Sequence, residues 1–191
     1  MKVSRAEAAQ NRERIIDTAA KLFRERGFDG IGVADLMKSA GMTHGGFYGH
    51  FASKEDLMAQ ASQRALEASL IALRQVVEHD RENALAIIAS TYLSTAHRDQ
   101  PGAGCALAAL GADAARQGSP LRATFTQAVL GAVELLTDLV AGRARRAKRQ
   151  RALTIYASMV GALVLARAVD DEALSGEILE SVSASIVRAD S

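Results

Sequence analysis

The sequence is poor in the residues that interrupt helices or cross-link a chain. Its 191 residues include two prolines (Pro101 and Pro120), no tryptophan and a single cysteine, Cys105. One cysteine excludes an intramolecular disulfide and a zinc cluster built on cysteines, and it suits a reducing compartment. Strand-like runs of Val, Ile, Thr and Tyr are missing, whereas alanine and leucine recur throughout. This composition predicts an all-α protein.

A charge excess and long apolar runs are also absent. The 23 basic and 22 acidic residues give a formal net charge of +1, so a nucleic-acid surface would have to be local. The N-terminal stretch is charged and lacks the apolar core of a signal peptide. No apolar run reaches the ~18 residues of a membrane span. We therefore expect a cytoplasmic protein with no membrane partner, no metal site and no cofactor.

Apolar periodicity and capping residues predict four helices before residue 80. They lie at about 8–26, 33–40, 45–51 and 53–79. Gly27 ends the first, and Gly32 caps the second. Gly41 breaks the chain after the second, and Thr43 is placed to cap the third. Ser53 begins the fourth, a long helix that connects a small N-terminal module to the rest.

Five more helices are predicted in the remaining chain. They lie at about 81–97, 104–117, 119–142, 151–169 and 171–189. Pro120 fits the first turn of the third of these. The basic run 143–151 is predicted to be a solvated connector between helices. The division that follows is an N-terminal domain at 1–53 and a larger helical domain at 54–191.

Two short helices around the turn 41–43, packed on a preceding helix, describe a helix-turn-helix. Phe47 and Phe51 lie one turn apart and suit the core side. The outward residues of the second helix would then be His44, Gly46, Tyr48 and His50. Tyr48 and His50 can donate hydrogen bonds to phosphate oxygens. The pattern by itself also occurs in ordinary helical bundles, which leaves an amphipathic surface helix as the alternative.

The run AGMTHGGFYGHFASKEDL at 40–57 closely resembles the DNA-binding signature of the TetR (tetracycline-repressor) family. The segments IIDTAAKLF at 15–23 and RGF at 26–28 also resemble that family's first helix. The resemblance is specific over about residues 11–58. It differs at Ile31 and Gly32, where many members carry hydroxyl residues. It implies that DNA is contacted by Thr43, His44, Gly45, Gly46, Tyr48, His50 and Lys54. Because the two glycines offer little side chain, His44 is the preferred specificity residue.

The resemblance also implies a C-terminal domain that dimerises and binds a ligand. Its two last helices would pair with those of a second subunit, although the same faces could instead complete the monomer core. The candidate interface residues are Ala157, Gly161, Val164, Leu165, Leu174, Ile178 and Val182. A small-molecule pocket would lie inside this domain, and ordinary core packing is the alternative for each candidate. The candidate pocket residues are Tyr92, Cys105, Phe125 and Met159.

These features predict a transcriptional regulator, most simply a repressor that a small-molecule effector releases from its operator. Its partners would be double-stranded operator DNA, a second copy of the chain and that effector. An activator or a ligand-independent DNA-binding protein are the alternatives. An enzyme is the least favoured class, because only Cys105, His97 and Asp113 could form a catalytic trio and no motif supports them. Cys105 itself could be a redox or electrophile sensor, but a buried, inert thiol is the favoured interpretation.

Overall fold

The computed structural model describes residues 4–188, and within that range it is built only of helices. The elements are α1 (Arg5–Arg26), α2 (Val33–Ser39), η1 (His44–Gly49), α3 (Lys54–His79), α4 (Ala84–Tyr92), α5 (Thr95–Asp99), α6 (Ala106–Ala115), α7 (Ser119–Leu139), α8 (Arg145–Ala168) and α9 (Glu172–Arg188). Here η1 is a 3₁₀-helix and the others are α-helices. The predicted all-α class is therefore confirmed. The predicted end of the last helix, Ala189, lies outside the described residues.

Helix α1 begins three positions before the predicted Ala8 because a capping box starts it. The backbone N–H of Glu7 donates to Ser4 Oγ at 3.1 Å, and the N–H of Ser4 donates to Glu7 Oε2 at 2.8 Å. Two of the helix's first donors are satisfied in this way. The bond from the Ser4 N–H to the charged carboxylate lowers the pKa of Glu7, and the Ser4 side chain contributes to the same shift. The apolar stripe begins only at Ile15, so periodicity alone placed the start too late.

The single helix predicted at 81–97 is wrong, because the structure contains two shorter helices there. Ser94 has an extended backbone, and its hydroxyl accepts the N–H of His97 at 3.1 Å, which caps α5. Before α4, Asp80 Oδ1 accepts the N–H of Asn83 at 3.1 Å and holds a turn. Ser and Asp side chains compete with helical hydrogen bonds in this way. The chain therefore bends after Leu93.

The basic run 143–151, predicted to be a connector, lies mostly within α8. Arg145 pairs with Glu134 of α7 and approaches Asp138 at 3.7 Å, and Arg149 lies 3.9 Å from Glu134. Each exposed pair contributes at most about 1 kcal/mol, but arginine and alanine favour helix intrinsically. Helix α7 ends earlier than predicted, at Leu139. The loop between α7 and α8 is shorter than the sequence suggested.

Two hydrophobic clusters organise the fold. The first joins α1, α2, η1 and the start of α3 to α6 and the start of α7. The second is formed by α4, α7, α8 and α9. By length and composition, α8 is the one described helix that could cross a membrane. Its Ile155, Tyr156 and Met159 are instead buried in the second cluster. The first cluster extends across the predicted domain boundary at 53, and the division itself stays a prediction.

Candidate functional site

The turn between α2 and η1 depends on a glycine. Gly41 has a φ of +75°, a left-handed conformation that side chains other than glycine rarely adopt. Its N–H donates to Lys38 O at 3.0 Å, and the N–H of Met42 donates to Met37 O at 2.8 Å. These bonds close the end of α2 and fix the direction in which η1 leaves. The turn has the geometry of a helix-turn-helix.

The second helix of this motif is a 3₁₀-helix at 44–49, not the α-helix predicted at 45–51. Three of its six residues are glycines, which weaken α-helix formation. Thr43 occupies the predicted N-cap position with an extended backbone, but its side chain makes no capping hydrogen bond. Instead the backbone carbonyl of Thr43 accepts the N–H of Gly46 at 3.1 Å. The segment is thus held mainly by packing beneath it.

Two buried phenylalanines support this segment, as the sequence predicted. Phe47 and Phe51 are buried, with ring centroids 5.6 Å apart. The guanidinium of Arg12 on α1 lies 5.3 Å from the Phe51 ring centroid, a cation–π contact. Tyr48 packs edge-on against Phe47 at 5.2 Å, yet 71% of its surface is exposed. The packing therefore presents Tyr48 on a rigid outer surface.

The seven predicted DNA contacts lie together in this segment and at the start of α3. Thr43, His44, Gly45 and Tyr48 are exposed, whereas Gly46, His50 and Lys54 are half-buried. Lys54 is the first residue of α3. Its predecessor, Ser53, caps that helix by accepting the N–H of Asp56 at 3.2 Å. The structure thus brings the predicted residues onto one continuous stretch of surface.

A cavity of about 470 Å³ lies between α1, α3, α4, α5 and α8, next to the start of α6. One side is apolar, with alanines of α3 and Ile88 of α4. The other side carries Arg24, Tyr92, His97 and Cys105. Of the four predicted pocket residues, Tyr92 and Cys105 line this cavity. Phe125 lines a different one of about 350 Å³, and Met159 is 1% exposed and packs in the second cluster.

His97 is held between two backbone groups. Its Nδ1 lies 2.7 Å from Tyr92 O, and its Nε2 accepts the N–H of Cys105 at 2.9 Å. This arrangement requires a neutral ring with the proton on Nδ1. Burial lowers the pKa of His97, and Arg167 contributes to the same shift. Both ring nitrogens are therefore engaged, and neither is directed at the Cys105 thiol.

The catalytic trio considered from the sequence does not assemble. Asp113 Oδ2 accepts the N–H of Phe28 at 3.3 Å, and its Oδ1 pairs with Arg116. His97 is bound to the backbone of Cys105, and within the described part of the chain the hydrogen bonds of Asp113 go to Phe28 and Arg116 instead. Nucleophile, base and orienting acid are thus not hydrogen-bonded in series, as a triad requires.

Two hydrogen bonds tie the end of α1 to the ends of α6. Arg24 Nη1 donates to Gly104 O at 2.8 Å, just before α6. Near the other end of α6, Asp113 accepts from Phe28. Arg24 was not among the predicted pocket residues, but it is half-buried in the cavity wall. In the sequence, Arg24 stands one helical turn after Ala20, which is buried, and this spacing could have indicated a partly buried position. The Ala20 carbonyl accepts a hydrogen bond from Arg24 Nε at 2.9 Å.

The predicted interface residues lie on uncovered faces of α8 and α9. Ala157, Val164, Leu165 and Leu174 are exposed. Leu165 is 56% exposed, although leucine is among the residues most often buried in folded proteins. Gly161 on α8 and Ile178 and Val182 on α9 are half-buried. The face is contiguous with the second hydrophobic cluster.

Known proteins share the N-terminal part of this chain. Residues 15–61 match the model for bacterial regulatory proteins of the TetR family. The chain is 35% identical over 57 residues to the HTH-type transcriptional regulator AcrR of Shigella flexneri, which is 30% of this chain and 26% of that protein. It is 34% identical over 79 residues to an HTH-type transcriptional regulator of Staphylococcus aureus strain USA300, covering 41% and 43%. The chain thus spans less than half the length of these relatives.

Solved structures share the whole fold. A TetR-family regulator from Cytophaga hutchinsonii superposes with a TM-score of 0.80 at 23% identity, covering 98% of each chain. The reduced form of Escherichia coli NemR gives 0.79 at 24% identity, covering 94% of this chain and 96% of that one. Residues 15–61 thus resemble the DNA-binding segment of TetR-family regulators, and the described chain has the fold of solved TetR-family structures.

Proposed function

We propose that the chain is a homodimeric transcriptional repressor that binds operator DNA and is released when a small molecule occupies the 470 Å³ cavity. The observation that carries this proposal is the exposed stretch from Thr43 to Lys54, supported by buried Phe47 and Phe51 within the family's matched segment. A protein that acts on chromosomal DNA works in the cytoplasm, which is the location we propose.

The proposed DNA contacts divide into two kinds. Lys54, Tyr48 and His50 bind phosphates, because a cation and neutral donors of this kind fix register on the duplex. His44 reads base edges, since it is exposed and its glycine neighbours have no side chains to do so. The remaining proposed contacts are made by Thr43 and by the backbone at Gly45 and Gly46, where no Cβ keeps the DNA away.

The proposed dimer forms through α8 and α9. Val164, Leu165 and Leu174 are apolar and exposed in the single chain, and a second copy would remove them from water. A two-fold dimer also presents two recognition segments to two half-sites. This arrangement is supported by the uncovered apolar face of α8 and α9, and by the resemblance to TetR-family proteins, which implies a dimer through the last two helices.

Release by a ligand is supported by where the cavity lies. Its wall includes Arg24 of α1 and residues just before α6, and these two parts are hydrogen-bonded to each other. A ligand that changes their packing would change the position of the helix-turn-helix, which is coupling between two sites. Because His97, Cys105 and Asp113 do not form a hydrogen-bonded series, we propose no enzymatic activity.

Selection from random DNA with the purified protein tests this function. We expect an enriched two-fold symmetric site with half-site centres about 34 Å, or a multiple of that, apart. The site is then placed before a reporter gene, and we expect transcription to fall when the protein is present. A rise would identify an activator instead. No enriched sequence would refute the DNA-binding proposal.

A further inference from the structure

The polar groups of the cavity lie at one end, around Gly104. The carbonyl of Gly104 accepts Arg24 Nη1 at 2.8 Å. A Cβ added to Gly104 would lie 2.6 Å from His97 Nε2 and 3.1 Å from Arg167 Nη2. None of the described residues that line the cavity is Asp or Glu. The cavity therefore combines an apolar body with a cationic end.

Arg24 is a half-buried cation whose hydrogen bonds go only to neutral groups. Nε donates to Ala20 O and Nη1 to Gly104 O. Burial lowers the pKa of Arg24, which reflects the cost of removing its charge from water. Cys105, which lines the cavity, and then Glu25 oppose that shift in pKa; the Glu25 carboxylate lies 3.8 Å from Lys21 Nζ and does not line the cavity. An anion in the cavity would balance the Arg24 charge.

Two buried donors lie near this end, one in the cavity wall and one in the neighbouring pocket. Tyr92 Oη faces only the Cys105 thiol, a weak acceptor, and Arg167 Nη1 has no hydrogen-bond partner among the described residues. Burial raises the pKa of Tyr92 far above its usual value, so its hydroxyl stays protonated and can donate. Arg167 is held in place by its other nitrogens, which donate to Arg98 O at 2.9 Å and His97 O at 2.7 Å. Buried donors of this kind normally have an acceptor.

We propose that the effector of this cavity is an apolar molecule with one anionic group, which Arg24 binds directly and to which Tyr92 donates a hydrogen bond. The inference rests on the proposed function, because it names the chemical class of the proposed effector. The volume of about 470 Å³ fits a small aromatic or medium-chain acid. Helix α6 begins beside this end without a side-chain cap, and its dipole favours the same charge.

The anion would meet a residue of the helix that packs under the helix-turn-helix. Arg24 belongs to α1, and it also holds the carbonyl of Gly104 in front of α6. A bound anion competes for the same guanidinium. Ligand binding and the α1–α6 junction therefore share one side chain, and we expect the Arg24 variant to lose the ligand response.

A matched pair of fluorescent probes tests the proposal on the full-length protein. 8-Anilinonaphthalene-1-sulfonate and N-phenyl-1-naphthylamine share one ring system and differ by the anionic sulfonate. We expect saturable binding of one sulfonate probe per chain, about tenfold or more tighter than the neutral probe, as for one hydrogen bond to a charged group. Octanoate should displace the sulfonate probe, and octylamine should not.

Variants locate the site of the preference. Arg24→Gln should abolish the advantage of the sulfonate probe while leaving the neutral probe unchanged, and Tyr92→Phe should reduce it. Arg26→Gln is the control, because Arg26 lies near the same end of α1 but is exposed and outside the cavity. Equal binding of the two probes to the wild type, no binding of the sulfonate probe, or full preference in folded Arg24→Gln overturns the proposal. If Arg24→Gln does not fold, the wild-type comparison decides.

Operator binding without any probe is measured in parallel on the wild type. Loss of specific DNA binding refutes the proposed function, whatever the probes do. Specific DNA binding together with no preference for the anion refutes only this inference. The two failures are thus separated by one pair of titrations.

Discussion

Replacing Lys54 by alanine isolates one proposed phosphate contact. The side chain is half-buried at the first position of α3 and makes no hydrogen bond or ion pair within the described part of the chain. The Ser53 cap of α3 does not depend on it. A cation at a helix N-terminus is slightly unfavourable, so the free energy of unfolding should change by no more than about 0.5 kcal/mol.

The effect on DNA binding follows from counterion release. Each lost contact reduces the slope of log K against log salt by about 0.9, hence by about 1.8 for a dimer. Between about 50 and 200 mM salt, the variant should therefore lose about 12-fold less affinity than the wild type. Fluorescence anisotropy with labelled operator DNA measures both slopes.

Lys148→Ala is the matched control for this experiment. Lys148 is also a half-buried lysine in the first turn of an α-helix, but it lies on α8, far along the chain from η1. Its removal should leave the salt slope unchanged. Equal slopes for Lys54→Ala and the wild type, with both proteins folded, would refute the assigned contact.

Three further substitutions test separate parts of the account. Tyr48→Phe should weaken operator binding about threefold to tenfold per protomer through one lost hydrogen bond, with unchanged thermal stability because Tyr48 is exposed; unchanged affinity would contradict the contact. Leu165→Glu should shift the dimer to monomer in light scattering, whereas Ile71→Glu, at a similarly exposed position on α3, should not; dimeric Leu165→Glu would count against the interface. Burial lowers the pKa of His97 from 6.5, so below that pH the unfolded chain binds a proton that the folded chain resists. Stability should then fall as the pH drops through about 6.5, and His97→Gln should flatten this fall in urea unfolding; an equally steep fall in the variant would exclude His97 as its source.

Helix ends could be predicted at three places where a capping residue or a glycine stands beside an apolar stripe. Ser53 and Gly32 begin α3 and α2 as predicted, and Gly27 follows the end of α1. The prediction failed where a helix extends beyond its buried part, as at Arg5 and Arg145, because periodicity reports burial and not helicity. Apolar periodicity does not report ion pairs to another helix, or capping residues that have no apolar neighbours.

The recognition segment could be predicted because its determinants are local. Phe47 and Phe51 are one turn apart, and their burial leaves Tyr48 outside. The segment was predicted to be an α-helix and is a 3₁₀-helix, although three glycines in six residues already disfavour an α-helix. A position that requires a positive φ, such as Gly41, was visible as a turn.

The cavity could be predicted only in part because its residues come from distant parts of the chain. Arg24 and Gly104 are 80 positions apart, and nothing in the local sequence connects them. Of the four candidate pocket residues, Tyr92 and Cys105 share one cavity. Phe125 lines a different cavity, and Met159 packs in the second hydrophobic cluster. Large apolar side chains are more often core than lining.

Specific DNA binding by a dimer is tested most directly by titrating the protein against DNA from upstream of its own gene. The titration is run across a salt series with unrelated DNA as competitor, and the mass of the complex is measured by light scattering. We expect tight, salt-sensitive binding by a dimer that unrelated DNA does not displace. Binding no tighter than to the competitor, both here and on sequences selected from random DNA, would contradict it.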